Sequence, residues 1–338
     1  MNVLGIESSC DETSAAVVAD GMLLSNIISS QFVHVKYGGV VPELASRAHQ
    51  QLIVPVVEEA LRSAGVEKAQ LDGIAVTYGP GLAGALLVGL NFSKALAYAL
   101  KIPFVGVHHM EAHIIANFVE QPAPQFPFIC LIVSGGHTQL VLVRDFFDHE
   151  LIGETLDDAA GEAYDKVAKM LGLGFPGGPA IDRLAAGGNG AFVDFPRSYL
   201  NGRDFDFSFS GIKTSVLYWL RDYQRSNPGS SLTRQPGLLA DLCASFQAAV
   251  IDVLVEKTLR AASHTGVREL AIAGGVSANS ELRKRMKAQA EQRGYRLTIP
   301  NPEYCTDNGA MVALTGYLRL KSGVSSDTEL NAVPNLAI

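Results

Sequence analysis

Cysteine is scarce in this sequence, and its placement argues against two kinds of architecture. The 338 residues contain four cysteines, Cys10, Cys130, Cys243 and Cys305, and no two of them lie close together in the chain. Small secreted folds carry dense, regularly spaced cysteines, and zinc knuckles need closely paired ones. We therefore expect neither a disulfide framework nor a zinc knuckle, and we expect a reducing, cytoplasmic environment.

Three further signals are missing. The chain starts on a strand-like run, Val3 to Ile6, without the basic flank and apolar core of a signal peptide, so we do not expect export. The most apolar helix candidate, Leu82 to Leu100, is interrupted by polar residues at 91, 93 and 94, which argues against a membrane span. The glycine-rich lysine motif of P-loop ATPases does not occur, which excludes that class.

Basic residues are fewer than acidic ones, and the formal net charge of -7 argues against a nucleic-acid partner. Two segments carry a net positive charge although the whole chain is negative. Arg197 to Arg234 has six basic residues against three acidic ones, and Glu281 to Arg296 has six against two. Such segments can follow a phosphate backbone, or they can be ordinary solvated helix faces.

The length is sufficient for about two domains, and the two halves of the chain begin in the same way. Three strand-like runs open the chain, and three more follow a proline-rich stretch at 122–127, which we interpret as a link. The six runs are residues 3–9, 14–20, 23–28, 128–133, 138–143 and 149–155. This pattern predicts a duplicated lobe in a mixed α/β architecture with a cleft between the lobes.

Hydrophobic periodicity and turn residues predict the remaining elements. A helix starts at Pro42 and runs, with a break at Pro55, to about Ala64, and the tail after Gly323 has no distinctive feature. A flexible surface loop is expected at 227–237. Further strands are expected at 72–77, 104–107 and 269–273, and further helices at 82–100, 109 onwards, 159–171, 238–262, 280 onwards and 308–321.

The stretch His109 to His113 places two imidazoles four residues apart, directly after the strand-like run at 104–107. On a helix, positions i and i+4 share one face, so the two rings can supply two nitrogen ligands to a metal. The third ligand would have to come from a distant part of the chain, and Asp307 is the best candidate. The alternative is that both histidines only line a buried helix.

Glu111 bears on the kind of metal chemistry. In zinc proteases the general base directly follows the first histidine ligand, which keeps it beside the metal-bound water. Here the carboxylate comes two residues after His109, about 200° around a helix from it. This position disfavours a metalloprotease and leaves Glu111 outside the chemistry.

Each half of the chain has a polar turn between its first two strands. The first turn offers acid and hydroxyl groups, and the second offers bare backbone amides at Ser134 to Gly136. Facing each other across a cleft, the two turns can hold a phosphate, or each can be no more than a turn. The side chains of the first turn are Ser9, Asp11, Glu12 and Thr13.

A second glycine-rich junction, Gly274 to Ser277, lies between a buried-looking strand and a helix. Small residues there let a nucleotide approach closely, although such a junction also serves simple close packing. Asp165 and Asp182 lie in predicted helices on either side of a Pro-Gly-Gly-Pro turn. They can accept hydrogen bonds from ribose hydroxyls, or they can be a surface pair.

Six motifs together resemble one family, the bacterial tRNA N6-adenosine threonylcarbamoyltransferases, formerly described as O-sialoglycoprotein endopeptidases. The resemblance runs from residue 1 to about Lys321, with the motifs in the same order. They are GIESSCDET (5–13), GGVVPELASR (38–47), HHMEAH (108–113), VSGGHT (133–138), FSFSGIKT (207–214) and CTDNGAM (305–311).

The resemblance implies an α/β fold of the actin/Hsp70/sugar-kinase type (ASKHA), with two ribonuclease-H-like lobes and a central cleft. The first lobe would comprise residues 1–121 and 306–338, because the last helix returns to it. The second lobe would comprise residues 122–305.

The resemblance also implies a site. His109, His113 and Asp307 would bind one divalent metal ion, iron in the first place or zinc. The family has glycine where this chain has Ala112, and the added methyl group raises helix propensity without disturbing the ligands. The residues implied to contact the adenylate substrate are Ile132, Val133, Ser134, Gly135, Gly136, Asp165, Gly178, Asp182 and Asn279.

The implied activity is the transfer of the L-threonylcarbamoyl group from L-threonylcarbamoyl-adenylate to N6 of the adenosine at position 37 of tRNAs that read codons beginning with A, with release of AMP. The amides of Ser134 to Gly136 would take charge on the leaving phosphate. The attacking nitrogen must lose a proton, and Glu12, Asp11 and His137 are the candidates to accept it, with Glu12 first.

The implied partners are tRNA, the adenylate, a paralogous inactive protein of the TsaB type and a small ATPase of the TsaE type, with no membrane involved. A kinase acting on a sugar or other small molecule with ATP on the same fold is the alternative function, but it leaves His109, His113 and Asp307 without a task. A metalloprotease is disfavoured by Glu111, and a catalytically silent scaffold by the complete set of histidines, aspartate and glycines.

Overall fold

The computed structural model describes residues 1–199, 205–230 and 232–338. The chain divides into two compact units, one formed by Met1–Ala123 together with Pro300–Ile338 and the other by Pro124–Ile299. The division at 123/124 falls within the proline-rich stretch. The boundaries expected from the sequence lie at 121/122 and 305/306.

Ten strands and ten α-helices lie in the described residues, and three successive strands open each half of the chain. The strands are β1 Asn2–Glu7, β2 Glu12–Ala19, β3 Met22–Ser30, β4 Gly73–Gly79, β5 Phe104–His108, β6 Phe128–Val133, β7 Thr138–Asp145, β8 Asp148–Glu154, β9 Glu269–Ala273 and β10 Arg296–Thr298. The α-helices are α1 Pro42–Ala64, α2 Ala83–Leu100, α3 His109–Ile115, α4 Ala160–Leu171, α5 Gly177–Ala185, α6 Ser210–Ser226, α7 Pro236–Thr265, α8 Ser280–Arg293, α9 Pro302–Cys305 and α10 Gly309–Lys321.

Both units are built on a five-stranded sheet of the same topology. In the first unit the order is β3-β2-β1-β4-β5, with β1 antiparallel to β2 and parallel to β4. In the second unit the order is β10-β9-β6-β7-β8, with β6 antiparallel to β7 and parallel to β9. Each sheet thus joins an antiparallel three-stranded meander to two parallel strands, which confirms the predicted α/β architecture with a duplicated lobe.

Helices pack against both faces of the first sheet, which is why residues 3–6 of its central strand are apolar and buried. Leu4 and Ile6 of β1 belong to the core formed with α1 and α2, while α10 packs against β1, β2, β4 and β5. Gly5 makes this second contact possible, because a Cβ there would lie 2.3 Å from the backbone nitrogen of Ala313 in α10. The start of α10 is also hydrogen-bonded to this sheet, because the amide of Gly309 donates to Oγ of Ser14 at 2.7 Å.

The long helix α7 forms the core of the second unit. It packs against α5, α6, α8 and β6, and its side chains are buried along most of its length. Both α7 and α2 are long and apolar enough to cross a membrane, but 78% of the apolar window of α7 is buried inside the protein, as in the core helix of a globular unit. The corresponding share for α2 is 33%, and two such helices are weak evidence for a membrane span.

The break expected at Pro55 is not observed, because α1 is one continuous helix of 23 residues. Proline at this position removes the hydrogen bond to the carbonyl of Gln51. Both Pro55 and Gln51 lie on the exposed face of α1, so water can satisfy that carbonyl. The predicted break was wrong because it took account of the amide hydrogen that proline lacks, but not of the exposed position of Pro55 on the helix.

Candidate functional site

Three side chains that the sequence singled out as metal ligands lie together in the first unit. His109 and His113 project from the buried face of α3, and Asp307 lies in the turn between α9 and α10. Oδ1 of Asp307 is 3.1 Å from Nε2 of His113 and 3.5 Å from Nε2 of His109. The possible ligand atoms of all three residues lie within 4.8 Å of one another. Their role as metal ligands stays a prediction.

Glu7, at the end of β1, holds the ring of His109 in this orientation. Its Oε2 is 3.2 Å from Nδ1 of His109 and accepts a hydrogen bond from the hydroxyl of Thr77 at 2.6 Å. Its Oε1 accepts from the backbone amide of Ser9 at 2.6 Å. A carboxylate behind a histidine ligand fixes its tautomer and leaves the other ring nitrogen facing the metal. Glu7 was not predicted from the sequence as a site residue, although a charged residue at the end of a buried strand is a signal that could have identified it.

The electrostatics of this cluster favour a positive charge. Burial alone would lower the pKa of His109, but the negative charges of Asp307 and Glu7 outweigh it and raise that pKa to about 9. Burial would likewise raise the pKa of Glu7, but the charge on His109 and the hydrogen bond from it lower that pKa below its usual value. Two imidazole nitrogens and a carboxylate oxygen suit zinc or ferrous iron, so the residues present fit such an ion.

Glu111 takes no part in the cluster. Its Oε2 accepts a hydrogen bond from the guanidinium of Arg319, which links α3 to α10. The carboxylate that a protease would need as its base is therefore engaged in a structural ion pair.

The turn after β1 is held by a further buried histidine, His49, which the sequence did not single out. Nε2 of His49 lies 3.0 Å from the carbonyl oxygen of Cys10 and must donate to it, so Nδ1 accepts from the hydroxyl of Thr13 at 2.7 Å. Burial lowers the pKa of His49 and keeps the ring neutral, as this arrangement requires. Asp11 and Glu12 lie between the two anchored residues.

The carboxyl group of Glu12 has a raised pKa. Burial, together with the negative charges of Asp307 and Asp11, raises its pKa to about 10. A carboxyl group with a raised pKa can donate a proton, and it becomes a base when neighbouring negative charge is compensated.

In the turn of the second unit, Ser134 to His137, fewer backbone amides are available to a ligand than the sequence suggested. The amide of Ser134 donates to the carbonyl of His137 at 2.8 Å, and the amides of Gly136 and His137 donate to Oγ of Ser134 at 3.4 and 3.1 Å. Of the three amides expected to be bare, that of Gly135 alone has no partner within the described part of the chain. The space beside Gly135 and Gly136 is open.

Two glycines bring neighbouring elements close to this turn: Gly161, which the sequence did not single out, and Gly274, for which close packing was one of the two expected roles. A Cβ on Gly161, in the first turn of α4, would lie 2.6 Å from the carbonyl oxygen of Ser134. A Cβ on Gly274, which has φ of +85°, would lie 2.5 Å from the carbonyl oxygen of Val133. Val133 and Ile132 are fully buried, and their contact with an adenylate stays a prediction.

The other residues predicted to contact the adenylate lie at the start of a helix or accept hydrogen bonds from it. Oδ1 of Asp165 accepts from the amide of Gly177 at 2.7 Å, at the start of α5, where Gly178 borders open space. Asp182 accepts from the amide and hydroxyl of Ser280 at 3.0 and 2.9 Å. The side chain of Asn279 caps α8 by accepting from the amide of Leu282 at 2.9 Å. Their contact with an adenylate stays a prediction.

The FSFSGIKT motif is joined to the segment between β8 and α4 by two aspartates that the sequence did not single out. Asp157 accepts from the hydroxyls of Ser208 and Ser210 at 2.5 and 2.7 Å, and these bonds outweigh its partial burial and lower its pKa. Asp158 accepts from Nζ of Lys213 at 2.6 Å. This gives the motif a structural role in the second unit.

Solved structures with the same architecture show the fold. Component A of (R)-2-hydroxyglutaryl-CoA dehydratase from Acidaminococcus fermentans superposes with a TM-score of 0.52 at 14% identity, over 95% of this chain and 99% of that one. HypF from T. kodakarensis superposes with a TM-score of 0.59 at 15% identity, over 95% of this chain and 48% of that one. These likenesses show the fold, which is of the actin/Hsp70/sugar-kinase type.

Sequence comparison then gives the family. The family model TsaD, described as tRNA N6-adenosine threonylcarbamoyltransferase, matches residues 22–314. A protein of that name from Salinibacter ruber is 55% identical over 339 residues, covering 100% of both chains, and another from Symbiobacterium thermophilum is 54% identical over 99% of this chain and 96% of its own. The chain belongs to this family of acyltransferases.

Proposed function

We propose that the protein transfers the L-threonylcarbamoyl group from L-threonylcarbamoyl-adenylate to N6 of the adenosine at position 37 of tRNAs that read codons beginning with A. The observation that carries this proposal is the identity of 52–55% to three relatives named tRNA N6-adenosine threonylcarbamoyltransferase, which extends over practically the whole chain. The donor and the position in the tRNA rest on the family resemblance.

His109, His113 and Asp307 would hold one divalent cation, iron or zinc. When bound, such an ion supplies a Lewis acid for phosphate or carbamate oxygens, a contribution of several kcal/mol. Glu7 orients the first of these ligands. Its buried carboxylate, tied to Thr77 and Ser9, keeps the ring of His109 from turning during the reaction.

The donor is a mixed anhydride, so it is already activated, and the main remaining task is removal of a proton from the attacking exocyclic amine. Glu12 is the first candidate to accept it, with Asp11 and His137 as alternatives. Neutralisation of Asp307 removes the largest neighbouring charge that raises the pKa of Glu12, which brings its carboxyl group towards the range of a general base.

In the second unit, the amide of Gly135 and the start of α5 at Gly178 offer donors to the phosphate of the adenylate, beside open space. The acceptor is tRNA. A paralogous partner of the TsaB type, a small ATPase of the TsaE type and a cytoplasmic location are supported by the family resemblance alone.

The test is incorporation of labelled threonine and bicarbonate into unmodified tRNA, with the adenylate-forming enzyme and the helper proteins supplied. We expect His113→Ala and Asp307→Ala to lower the rate at least about 100-fold, as removal of a metal ligand or its charge stabilisation should. His264→Ala is a matched control, because His264 is exposed on the last turn of α7.

Parent-level transfer by either ligand variant, at reduced metal content, would show that the proposed metal role is wrong. Phosphorylation of a sugar by ATP, without any tRNA product, would instead favour the kinase alternative.

A further inference from the structure

Residues 324–338, the C-terminal segment, appeared featureless in the sequence but are fixed along β5 and the end of β4. Ser326 pairs with Phe104 at the start of β5, and its hydroxyl accepts from the amide of Gly106 at 3.0 Å. Nζ of Lys94 donates to the carbonyls of Thr328 and Leu330. The segment has no regular secondary structure, so periodicity could not reveal it.

The last seven residues, 332–338, continue past the ends of these strands. The amide of Val333 donates to the carbonyl of Tyr78 at 2.8 Å, and Pro334 accepts from the amide of Gly81 at 3.0 Å. Ala337 accepts from Nε2 of His108 at 3.1 Å. The segment therefore reaches the residue directly before the first predicted metal ligand.

Two glycines provide the room for this path. A Cβ on Gly79 would lie 2.1 Å from the carbonyl oxygen of Val333, and a Cβ on Gly106 would lie 2.6 Å from Cδ2 of Leu330. Contacts this close show that the segment is part of the packed unit.

The first connection to the metal cluster runs through His108. Nδ1 of His108 accepts from the amide of Met110 at 3.1 Å and so caps the N-terminus of α3. The ring proton must then be on Nε2, which donates it to Ala337. The helix α3 has only seven residues, and so short a helix depends on its cap and its tertiary contacts to stay formed. Both histidine ligands are on this helix.

The second connection runs through the turn that follows β4. Next to Gly81, which is held by Pro334, the amide of Leu82 donates to the carbonyl of Ser9 at 2.8 Å. Oγ of Ser9 is 3.3 Å from Nδ1 of His109, and the amide of Ser9 donates to Glu7. The C-terminal segment therefore supports the nitrogen of His109 that faces away from Asp307.

We propose that residues 332–338 act as a positioning segment for the metal centre. By fixing His108 and the turn at 79–82, they hold the imidazoles of His109 and His113 in ligand geometry. This proposal rests on the metal site of the proposed function, and it assigns the segment a role in cation binding beyond its contribution to stability.

The test compares the full chain with a chain ending at Asn331, using Co²⁺ alone as the probe. Affinity is measured by competition with a chelator, and the visible absorption of bound Co²⁺ reports ligand geometry. We expect binding about 10- to 100-fold weaker in the shortened chain, the usual effect of losing support behind metal ligands, and a changed absorption band. Ser326→Ala, which removes the contact with Gly106 and leaves residues 332–338 in place, should bind like the parent.

A second variant separates positioning from folding. His108→Asn keeps an acceptor suited to the helix N-cap, but its shorter side chain does not reach Ala337. We expect it to bind Co²⁺ more weakly with a changed spectrum, even if the shortened chain fails to fold by circular dichroism.

Affinity within twofold of the parent and an unchanged spectrum in the folded shortened chain, or in His108→Asn where the shortened chain is unfolded, would overturn the proposal while the metal site stands. No Co²⁺ binding by the full chain would overturn both.

Discussion

At the scale of single residues, Glu7 determines which nitrogen of His109 faces Asp307. Its Oε2 lies 3.2 Å from Nδ1, and Nε2 is the nitrogen turned towards Asp307. We expect Glu7→Gln to retain the fold but to weaken divalent-cation binding about 10- to 100-fold, as loss of the group that orients a histidine ligand usually does. Chelator competition with Co²⁺ measures the change, and thermal unfolding of the cation-free protein checks the fold.

Glu43→Gln is the matched control, because Glu43 is exposed on α1 and pairs with Arg47. A surface pair of this kind contributes little, so the control should bind Co²⁺ like the parent. If Glu7→Gln also bound like the parent, the hydrogen bond between Glu7 and His109 would have no part in ligand orientation.

Residues such as His109 and His113 could be predicted from the sequence because their spacing on a helix is a local pattern. Glu7 could not, since its partner His109 lies 102 residues further along the chain. His49 was missed for the same reason, because the turn that it anchors lies 36 residues before it. Asp307 was named as the best distant candidate for a third ligand, and the family resemblance then implied the same role, because a resemblance carries long-range information that spacing lacks.

At the scale of elements, α8 is a candidate surface for tRNA. Leu282, Met286 and Ala290 form its buried stripe, which leaves Lys284 and Lys287 exposed. We expect the double variant Lys284→Glu and Lys287→Glu to weaken tRNA binding and to reduce the dependence of log K on log salt concentration by about one per lysine, since each contact with a phosphate releases counterions. Binding titrations at several salt concentrations measure both quantities.

The control for this helix is Lys169→Glu, an exposed lysine in the last turn of α4. A loss of binding free energy in the control of about half that in the double variant would mean that net charge alone is responsible, because one reversal changes the net charge half as much as two. An unchanged affinity of the double variant would remove α8 from the tRNA contact. Arg283 is less suitable for reversal, because it donates to the carbonyl of Ser277. In the other basic segment, 197–234, residues 200–204 and 231 lie outside the described residues.

Elements with strong periodicity were predicted well, and elements with weak local signals were not. The strand bounds 128–133 and 269–273 are those of β6 and β9, because short apolar runs between turn residues are clear patterns. The helix around Asp182 was predicted, but α5 already begins at Gly177, inside the expected Pro-Gly-Gly-Pro turn. The helix α6 was not predicted, since it begins within an aromatic run without a side-chain cap.

At the scale of the whole molecule, the first unit is assembled from two distant parts of the chain, and the predicted ligands come from both. His109 and His113 belong to Met1–Ala123, whereas Asp307 belongs to Pro300–Ile338. A ligand that binds only the folded state, present at about 100 times its Kd, stabilises it by about 2.7 kcal/mol. We expect Zn²⁺ at that level to raise the free energy of unfolding of this unit by about that amount.

Hydrogen exchange locates the effect within the molecule. Protection by Zn²⁺ should concentrate in α3 and α10, because the ion would join the two chain parts there, and exchange in Pro124–Ile299 should be unchanged. Asp307→Asn, which removes the charged ligand at nearly constant size, should abolish the protection. If protection persisted in that variant, or spread equally over both units, the cation would be binding elsewhere, since His109, His113 and Asp307 are the one cluster of possible metal ligands among the described residues.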